Sequence, residues 1–168
     1  MRLFFALWPD GEALRQLRAA ADLLRLEGGG RLVPSRNYHL TLAFIGEVSD
    51  AKLAVMQQIG QSVRASRFTA ICDRLEYWPQ ARAVVAAVRD APAALLDLSA
   101  RLYEAIELPQ IPLRAHVTLA RKVAQAPVLP AMSPISWRAT EFSIVRSQTG
   151  GAASSYTVVS TWPLLYEP

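Results

Sequence analysis

Tyr38-His39-Leu40-Thr41-Leu42-Ala43 and Ala115-His116-Val117-Thr118-Leu119-Ala120 are the two stretches on which the reading of this chain turns. They hold both histidines of the 168 residues, and in each a threonine follows two positions later inside an apolar run of strand length. Side chains of a strand alternate between its faces. His39 and Thr41 therefore share one face, with Leu40 and Leu42 on the other, and His116 and Thr118 are set against Val117 and Leu119 in the same way. Each phrase presents an imidazole and a hydroxyl over a strand whose opposite face belongs in a core. Laid side by side, the strands predict a pocket of two imidazoles and two hydroxyls, a set suited to acid–base chemistry on a phosphate.

Working outward, Arg2 to Trp8 reads as a first strand, too short for a signal peptide or a membrane span. Pro9-Asp10 opens a helix over 11–27, with Leu14, Leu17, Ala21 and Leu24 at helical spacing, and Gly28-Gly29-Gly30 ends it in a loop. A second helix runs from Ser49 or Asp50 to about Ala65, with Leu53, Met56, Ile59 and Val63 on one face. Arg67 to Trp78 and Arg82 to Arg89 read as two strands joined at Pro79-Gln80. A third helix over 91–108 buries Leu95, Leu98, Leu102 and Ile106, and Pro109 and Pro112 break it before the second histidine strand. Two more strands, around 141–146 and 156–162, flank the loop Ser147 to Ser154. The pattern predicts an α+β fold of antiparallel sheet with helices on its outer side. The recurrence of the histidine phrase in two roughly equal halves predicts an internal duplication giving two lobes that face each other. Nothing of linker composition divides residues 1–168, which are read as one domain.

Composition narrows the function classes. Hydrophobic residues make up 52% and charged residues 19%, which excludes a disordered chain. The net charge of +4 rests on arginine, since Lys52 and Lys122 are the only lysines. Arginine binds phosphate bidentately, so the excess fits a nucleic-acid or nucleotide partner, although a GC-rich coding sequence gives the same bias. Cys72 is the only cysteine, which leaves no disulfide framework; in an apolar run it reads as a buried, inert thiol. A cytoplasmic protein without membrane association follows as the expectation.

One histidine on an apolar strand would most simply be a satisfied core residue. The recurrence of His-x-Thr-Leu-Ala at both histidines of the chain favours function instead. A neutral imidazole with a pKa of about 6.5 takes a proton from water, and its protonated partner gives one to the leaving oxygen. Threonine hydroxyls donate to the non-bridging oxygens as charge builds on phosphorus. No metal or cofactor is called for, because acid and base are both present and no HExxH or CxxC accompanies them. The paired-imidazole mechanism predicts a bell-shaped pH profile with its optimum near neutrality.

Asn37-x-His39-x-Thr41-Leu42-Ala43-Phe44-x-Gly46 and His116-x-Thr118-Leu119-Ala120-Arg121 resemble the two motifs of the two-histidine phosphoesterases. Within that superfamily the chain is similar to the bacterial and archaeal RNA 2′,3′-cyclic phosphodiesterases, also called 2′-5′ RNA ligases. The resemblance takes in the Arg2 to Leu7 opening, Trp78 and the Arg146-Ser147 to Tyr156 stretch. It implies a bilobal α+β fold, two pseudo-symmetric lobes with both motifs lining a central cleft, and metal-independent opening of a 2′,3′-cyclic phosphate at an RNA 3′ end to a 2′-phosphate. It further implies His39 as proton donor, His116 as proton acceptor, and Thr41 and Thr118 as phosphate-holding hydroxyls. Ala115 departs from the proline that many relatives carry there, without removing a catalytic group.

Around these four, Arg121 is a candidate phosphate contact, and Tyr38, Phe44 and Tyr156 are candidate base contacts. Arg36 and Arg114 are placed to steer an RNA backbone. Strict alternation sets Arg121 and Phe44 on the face opposite their histidines, so either reaches the cleft only if its strand ends or bulges. The expected partner is an RNA with a 2′,3′-cyclic phosphate end, or a small cyclic nucleotide, acted on by a monomer with no protein partner. Three alternatives stand beside hydrolysis: ligation by the reverse chemistry, a phosphodiesterase for small cyclic or 2′-5′-linked nucleotides, and an RNA-end binder without catalysis. No GxxxxGK loop supports an ATP-driven ligase.

Overall fold

A computed structural model describes residues 1–27, 29–148 and 154–165 of the chain. Its elements are β1 (Arg2–Leu7), α1 (Gly11–Asp22), β2 (Arg31–Leu32), a short 3₁₀ turn (Ser35–Asn37), β3 (Leu40–Glu47), α2 (Asp50–Ser62), β4 (Phe68–Cys72) and β5 (Arg74–Trp78). There follow β6 (Ala83–Ala87), α3 (Ala93–Ala105), β7 (His116–Arg121), β8 (Ile135–Ala139), β9 (Glu141–Gln148) and β10 (Ser155–Pro163). The main sheet has the order β10-β9-β1-β3-β7-β6-β5, with β2 also paired to β7, and β4 and β8 form a separate two-stranded sheet. All ladders of the main sheet are antiparallel.

The order is symmetric about the β3–β7 junction: β9-β1-β3 on one side mirrors β5-β6-β7 on the other. The helices exchange sides. α1, which leaves β1, packs against β7 and β8, and α3, which leaves β6, packs against β3 and β4. Asp10 caps α1 by accepting the amide of Ala13 at 2.8 Å, and the helix buries Ala13, Leu17, Ala20 and Ala21. α3 buries Leu95, Leu98, Leu102 and Tyr103 under β3. One large core fills the space between sheet and helices, while the opposite sheet face carries two small apolar clusters. These are Phe4, Ala6 and Val145 in one lobe and Ala83, Val85 and Ala87 in the other.

Several expectations need correction. The run 67–78 is not one strand: it divides at Asp73, and β4 leaves the hairpin to pair with β8 in the second sheet. That partner, β8, follows directly on Pro127, Pro130 and Pro134, and its five residues carry no strand signal strong enough to stand out from them. The first helix ends at Asp22 rather than at Glu27, and the third spans 93–105 rather than 91–108. Gly29 and Gly30 do more than end a helix. A Cβ on Gly30, whose φ is +128°, would stand 3.3 Å from the Arg121 carbonyl oxygen, so its absence lets β2 close onto β7. Gly28 and most of the expected 147–154 loop lie outside the described residues. Cys72 is fully buried, and burial pushes its thiol up to about 12.

β3 and β7 touch through the single pair Leu40–Val117 and then diverge. Each then carries a bulge at the same place. Along β3 the β1 partners pass from Thr41 to Ala43, skipping Leu42; along β7 the β6 partners pass from Thr118 to Ala120, skipping Leu119. A bulge and a parting edge both leave backbone groups unpaired. The Leu42 carbonyl accepts the buried Ser99 hydroxyl at 2.7 Å, and the Phe44 amide donates to the Tyr103 hydroxyl at 3.3 Å. On the other strand the Leu119 carbonyl accepts the Val33 amide at 2.8 Å. Replacing Ser99 by Ala orphans the Leu42 carbonyl, and the expected cost is about 1–3 kcal/mol of unfolding free energy. Chemical denaturation read by circular dichroism checks this; an unchanged midpoint would show that the bulge does not need its partner.

Candidate active site

The register at the lobe junction decides how the histidines and threonines stand to one another. Leu40 and Val117 are paired and face the core. One step along the antiparallel register to either side, His39 stands across from Thr118 and Thr41 across from His116. The histidines are thus diagonal, with a threonine beside each. All four line one cleft of about 290 Å³ on the sheet face away from the main core.

The bulges complete this cleft. Beyond Leu42 and Leu119 the alternation reverses, so Ala43 and Ala120 are buried and Phe44 and Arg121 return to the histidine face. Phe44, 49% exposed, and Arg121 both line the cleft. Tyr156 of β10 lines it too, with its ring 5.0 Å from that of His39. Tyr38 is not brought to it. One residue before His39 it points the other way, is 2% exposed within the core, and has its hydroxyl pushed up to about 12, chiefly by burial. Arg36 likewise lines a separate surface hollow beside Arg18 and Tyr38.

Alternation within the two histidine strands could not reveal Arg2, Phe4, Ser147 and Ser154, which also line the cleft. The available signal is parity in β1: Phe4 pairs with Phe44, and Arg2 with Ser147 of β9, so Arg2, Phe4, Phe44 and Ser147 share a face. Phe4 lies 4.9 Å from the His39 ring. Among the described residues, no group of three or more His, Cys, Asp or Glu side chains is arranged to hold a metal ion.

Both imidazoles are held alike. His39 Nδ1 lies 2.7 Å from the Asn37 carbonyl oxygen and His116 Nδ1 lies 2.6 Å from that of Arg114. A carbonyl only accepts, so Nδ1 carries the hydrogen in each ring and Nε2 is left for the cleft. The spacing is the same, ring at i and carbonyl at i−2, which is the pseudo-symmetry expressed at atomic level. The Asn37 side chain donates to the Ser154 carbonyl at 2.8 Å and ties the far rim of the cleft to the first histidine.

The surroundings of the two rings differ. His39 sits among Phe4, Trp8 at 5.5 Å and Tyr156. Burial among these rings lowers its pKa to about 4, with Arg121 and His116 adding to the effect against the Asn37 hydrogen bond. His116 packs on Trp78 at 4.4 Å, and the Arg114 guanidinium lies 3.9 Å from the same indole centre. Trp78 Nε1 donates to Glu76 at 2.7 Å. The indole first, then Arg74, hold the Glu76 carboxyl below its usual range. Burial lowers the pKa of His116 too, and Arg121 and Arg114 add to this, but its backbone bond and the Glu76 carboxylate oppose the shift.

Comparison with known proteins agrees with this geometry. The LigT-like phosphoesterase model matches residues 7–87, which contain the first histidine phrase. The chain is 30% identical to the RNA 2′,3′-cyclic phosphodiesterase of Escherichia coli (strain K12), over 97% of this chain and 96% of that one. It is 28% identical to the protein of the same name from Thermus thermophilus, over 98% and 90%. The fold matches the crystal structure of E. coli LigT complexed with 3′-AMP at a TM-score of 0.89, with 30% identity and 97% of each chain covered. It matches that of the T. thermophilus protein TT0787 at 0.86, with 29% identity and both chains fully covered. Similarity carried from end to end in both sequence and fold makes this chain a member of the LigT-like phosphoesterase family, within the two-histidine phosphoesterases.

Proposed function

We propose that this protein is a phosphodiesterase that opens the 2′,3′-cyclic phosphate at an RNA 3′ end and leaves a 2′-phosphate. The diagonal setting of His39 and His116, each beside a threonine in one cleft, carries the proposal. In-line displacement at phosphorus needs a base on the attacking side and an acid on the leaving side. A diagonal imidazole pair supplies one on each side, and the threonines are left to hold the equatorial oxygens.

His116 Nε2 takes a proton from water as the water oxygen attacks phosphorus. The bond from phosphorus to the 3′ oxygen breaks, and His39 Nε2–H gives its proton to that oxygen. Thr41 and Thr118 donate to the non-bridging oxygens, and Arg121 offsets their charge. Donor and acceptor are assigned by the matching family motifs; burial leaves the His39 ring neutral in the free protein, so the proton it gives is taken up with the anionic substrate. The apolar rings around His39 make its imidazolium the stronger acid, while Glu76 restores some basicity to His116. Ligation would use the same groups with a 5′-hydroxyl in place of water, and no feature of the cleft favours it over hydrolysis.

The first test is phosphorus NMR on an RNA oligomer ending in a 2′,3′-cyclic phosphate, incubated with the protein in EDTA. The expected product is a 2′-phosphate; a 3′-phosphate would reverse the leaving group and exchange the two histidines' roles. His39→Ala and His116→Ala should each lower kcat by about 10²-fold or more while RNA binding persists. Loss of binding with little change in kcat would point to an RNA-end binder.

The pH profile follows from burial. Activity requires one imidazole protonated and the other neutral, and both pKa values are pulled below 6.5 in the free protein, that of His39 to about 4. As pH rises past them the acid loses its proton, and as pH falls past them the base gains one. The maximum of kcat/KM is therefore expected below a pH of about 6.5, on the acidic side of the neutral optimum that unperturbed imidazoles would give. Titration of the two ring proton signals by NMR checks the same values directly. A kcat/KM optimum on the alkaline side of neutrality would mean that burial in the free protein does not set the profile.

A further inference from the structure

A second groove opens from the cleft and shares Arg121, Ser154 and Tyr156 with it. Its volume is about 100 Å³, and its outer wall is the segment from Arg31 to Pro34. Backbone bonds build that wall onto the strand that carries His116. Arg31 pairs with Arg121 and Leu32 with Ala120, the Val33 amide donates to the Leu119 carbonyl, and Gly30 permits the close approach. The opposite wall is fixed by the hydrogen bond from Asn37 to the Ser154 carbonyl.

Charge separates this end of the cleft from the other. Arg31 and Arg121 are cross-strand partners, so their side chains leave the same face of the ladder and both line the groove. The cleft and the groove together are lined by Arg2, Arg31, Arg121 and the two histidines, and among the described residues their lining includes no Asp or Glu. On the other side, beyond Trp78, Asp73 and Glu76 stand among Arg74, Arg89 and Arg114 at ion-pair distance. A polyanion leaving the histidines meets guanidiniums already engaged by carboxylates in that direction, and in this one a lining that, among the described residues, holds arginines and no carboxylate.

We propose that the groove between Arg31 and Tyr156 is a subsite for the phosphodiester immediately upstream of the terminal nucleotide. It makes an oligoribonucleotide end the preferred substrate over a 2′,3′-cyclic mononucleotide. The proposal rests on the hydrolase reading above and deepens it. The cyclic phosphate occupies the histidine cleft, the terminal ribose passes Arg121 and Tyr156, and the next phosphate lies between the two guanidiniums. The groove has room for a backbone phosphate and its sugar edge, so it selects for chain length rather than for an upstream base.

Three substrates test this: a 2′,3′-cyclic mononucleotide with a free 5′-hydroxyl, a dinucleotide ending in the same cyclic phosphate, and that dinucleotide with an uncharged methylphosphonate linkage. The expected kcat/KM of the charged dinucleotide exceeds that of the mononucleotide by about tenfold, falling toward the mononucleotide value at high salt. The methylphosphonate should lose most of the gain. Arg31→Ala should erase it while changing mononucleotide turnover by less than about twofold, and Arg31→Lys should keep part of it. Mononucleotide turnover also reports that each variant is folded. Equal rates on mononucleotide and dinucleotide overturn the subsite and leave the hydrolase reading intact. So does a gain that survives both the uncharged linkage and Arg31→Ala. Turnover of none of the three overturns the hydrolase reading, and the subsite with it.

Discussion

Everything at the cleft depends on how briefly β3 and β7 touch. Two strands from different lobes share the pair Leu40–Val117 and then separate. Had they stayed paired along their length, the sheet would be continuous and the histidine face would be a flat surface. Separation creates the hollow, and it also exposes two inner strand edges whose backbone groups need partners. The chain supplies those partners unequally: β2 extends the ladder along β7, while Ser99 and Tyr103 of α3 satisfy the edge of β3. The bulges at Leu42 and Leu119 sit at this point of divergence. They add twist where the strands part and turn Phe44 and Arg121 toward the histidines.

The exchange of helices between lobes gives the junction its rigidity. α1 crosses to lie against β7 and β8, and α3 crosses to lie against β3 and β4. Each histidine strand is thus backed by a helix that belongs to the other half of the chain, and the lobes cannot separate without stripping Leu17 or Leu98 from the core. Such bracing suits the proposed mechanism, in which two groups on different strands act on one phosphorus atom. Small displacements of reacting groups are costly in rate, and a junction held by core packing rather than by loops limits them.

Pseudo-symmetry sets the positions of the two imidazoles, and departures from it set their proton affinity. Both imidazoles are anchored through Nδ1 to a carbonyl two residues earlier. Around one stand Phe4, Trp8 and Tyr156; beside the other, Trp78 bridges to Glu76 and Arg114. Proton affinity follows these neighbours rather than the shared strand geometry. The ends of the cleft differ in the same way: Asp73 and Glu76 stand paired with arginines on the Trp78 side, and the cross-strand pair Arg31 and Arg121 lies on the Tyr156 side.

His39 and Thr41, like His116 and Thr118, could be placed on one face from the sequence because a single residue of regular strand separates them, and alternation is a local property. The buried stripe of α3 was legible for the same reason, being a 3.6-residue repeat within one element. Phe44 and Arg121 were open, because a single extra residue inverts every later side chain and no local signal marks Leu42 or Leu119 as that residue. Aromatic character says nothing of facing, and the place of Tyr38 next to His39 sends it into the core rather than to the cleft. The departure of β4 to β8, the parity that brings Phe4 and Arg2 to the cleft, and the groove between β2 and β10 are all pairings across long sequence separations. They are fixed by which edges remain unpaired once the core has formed, and only the tertiary structure decides that.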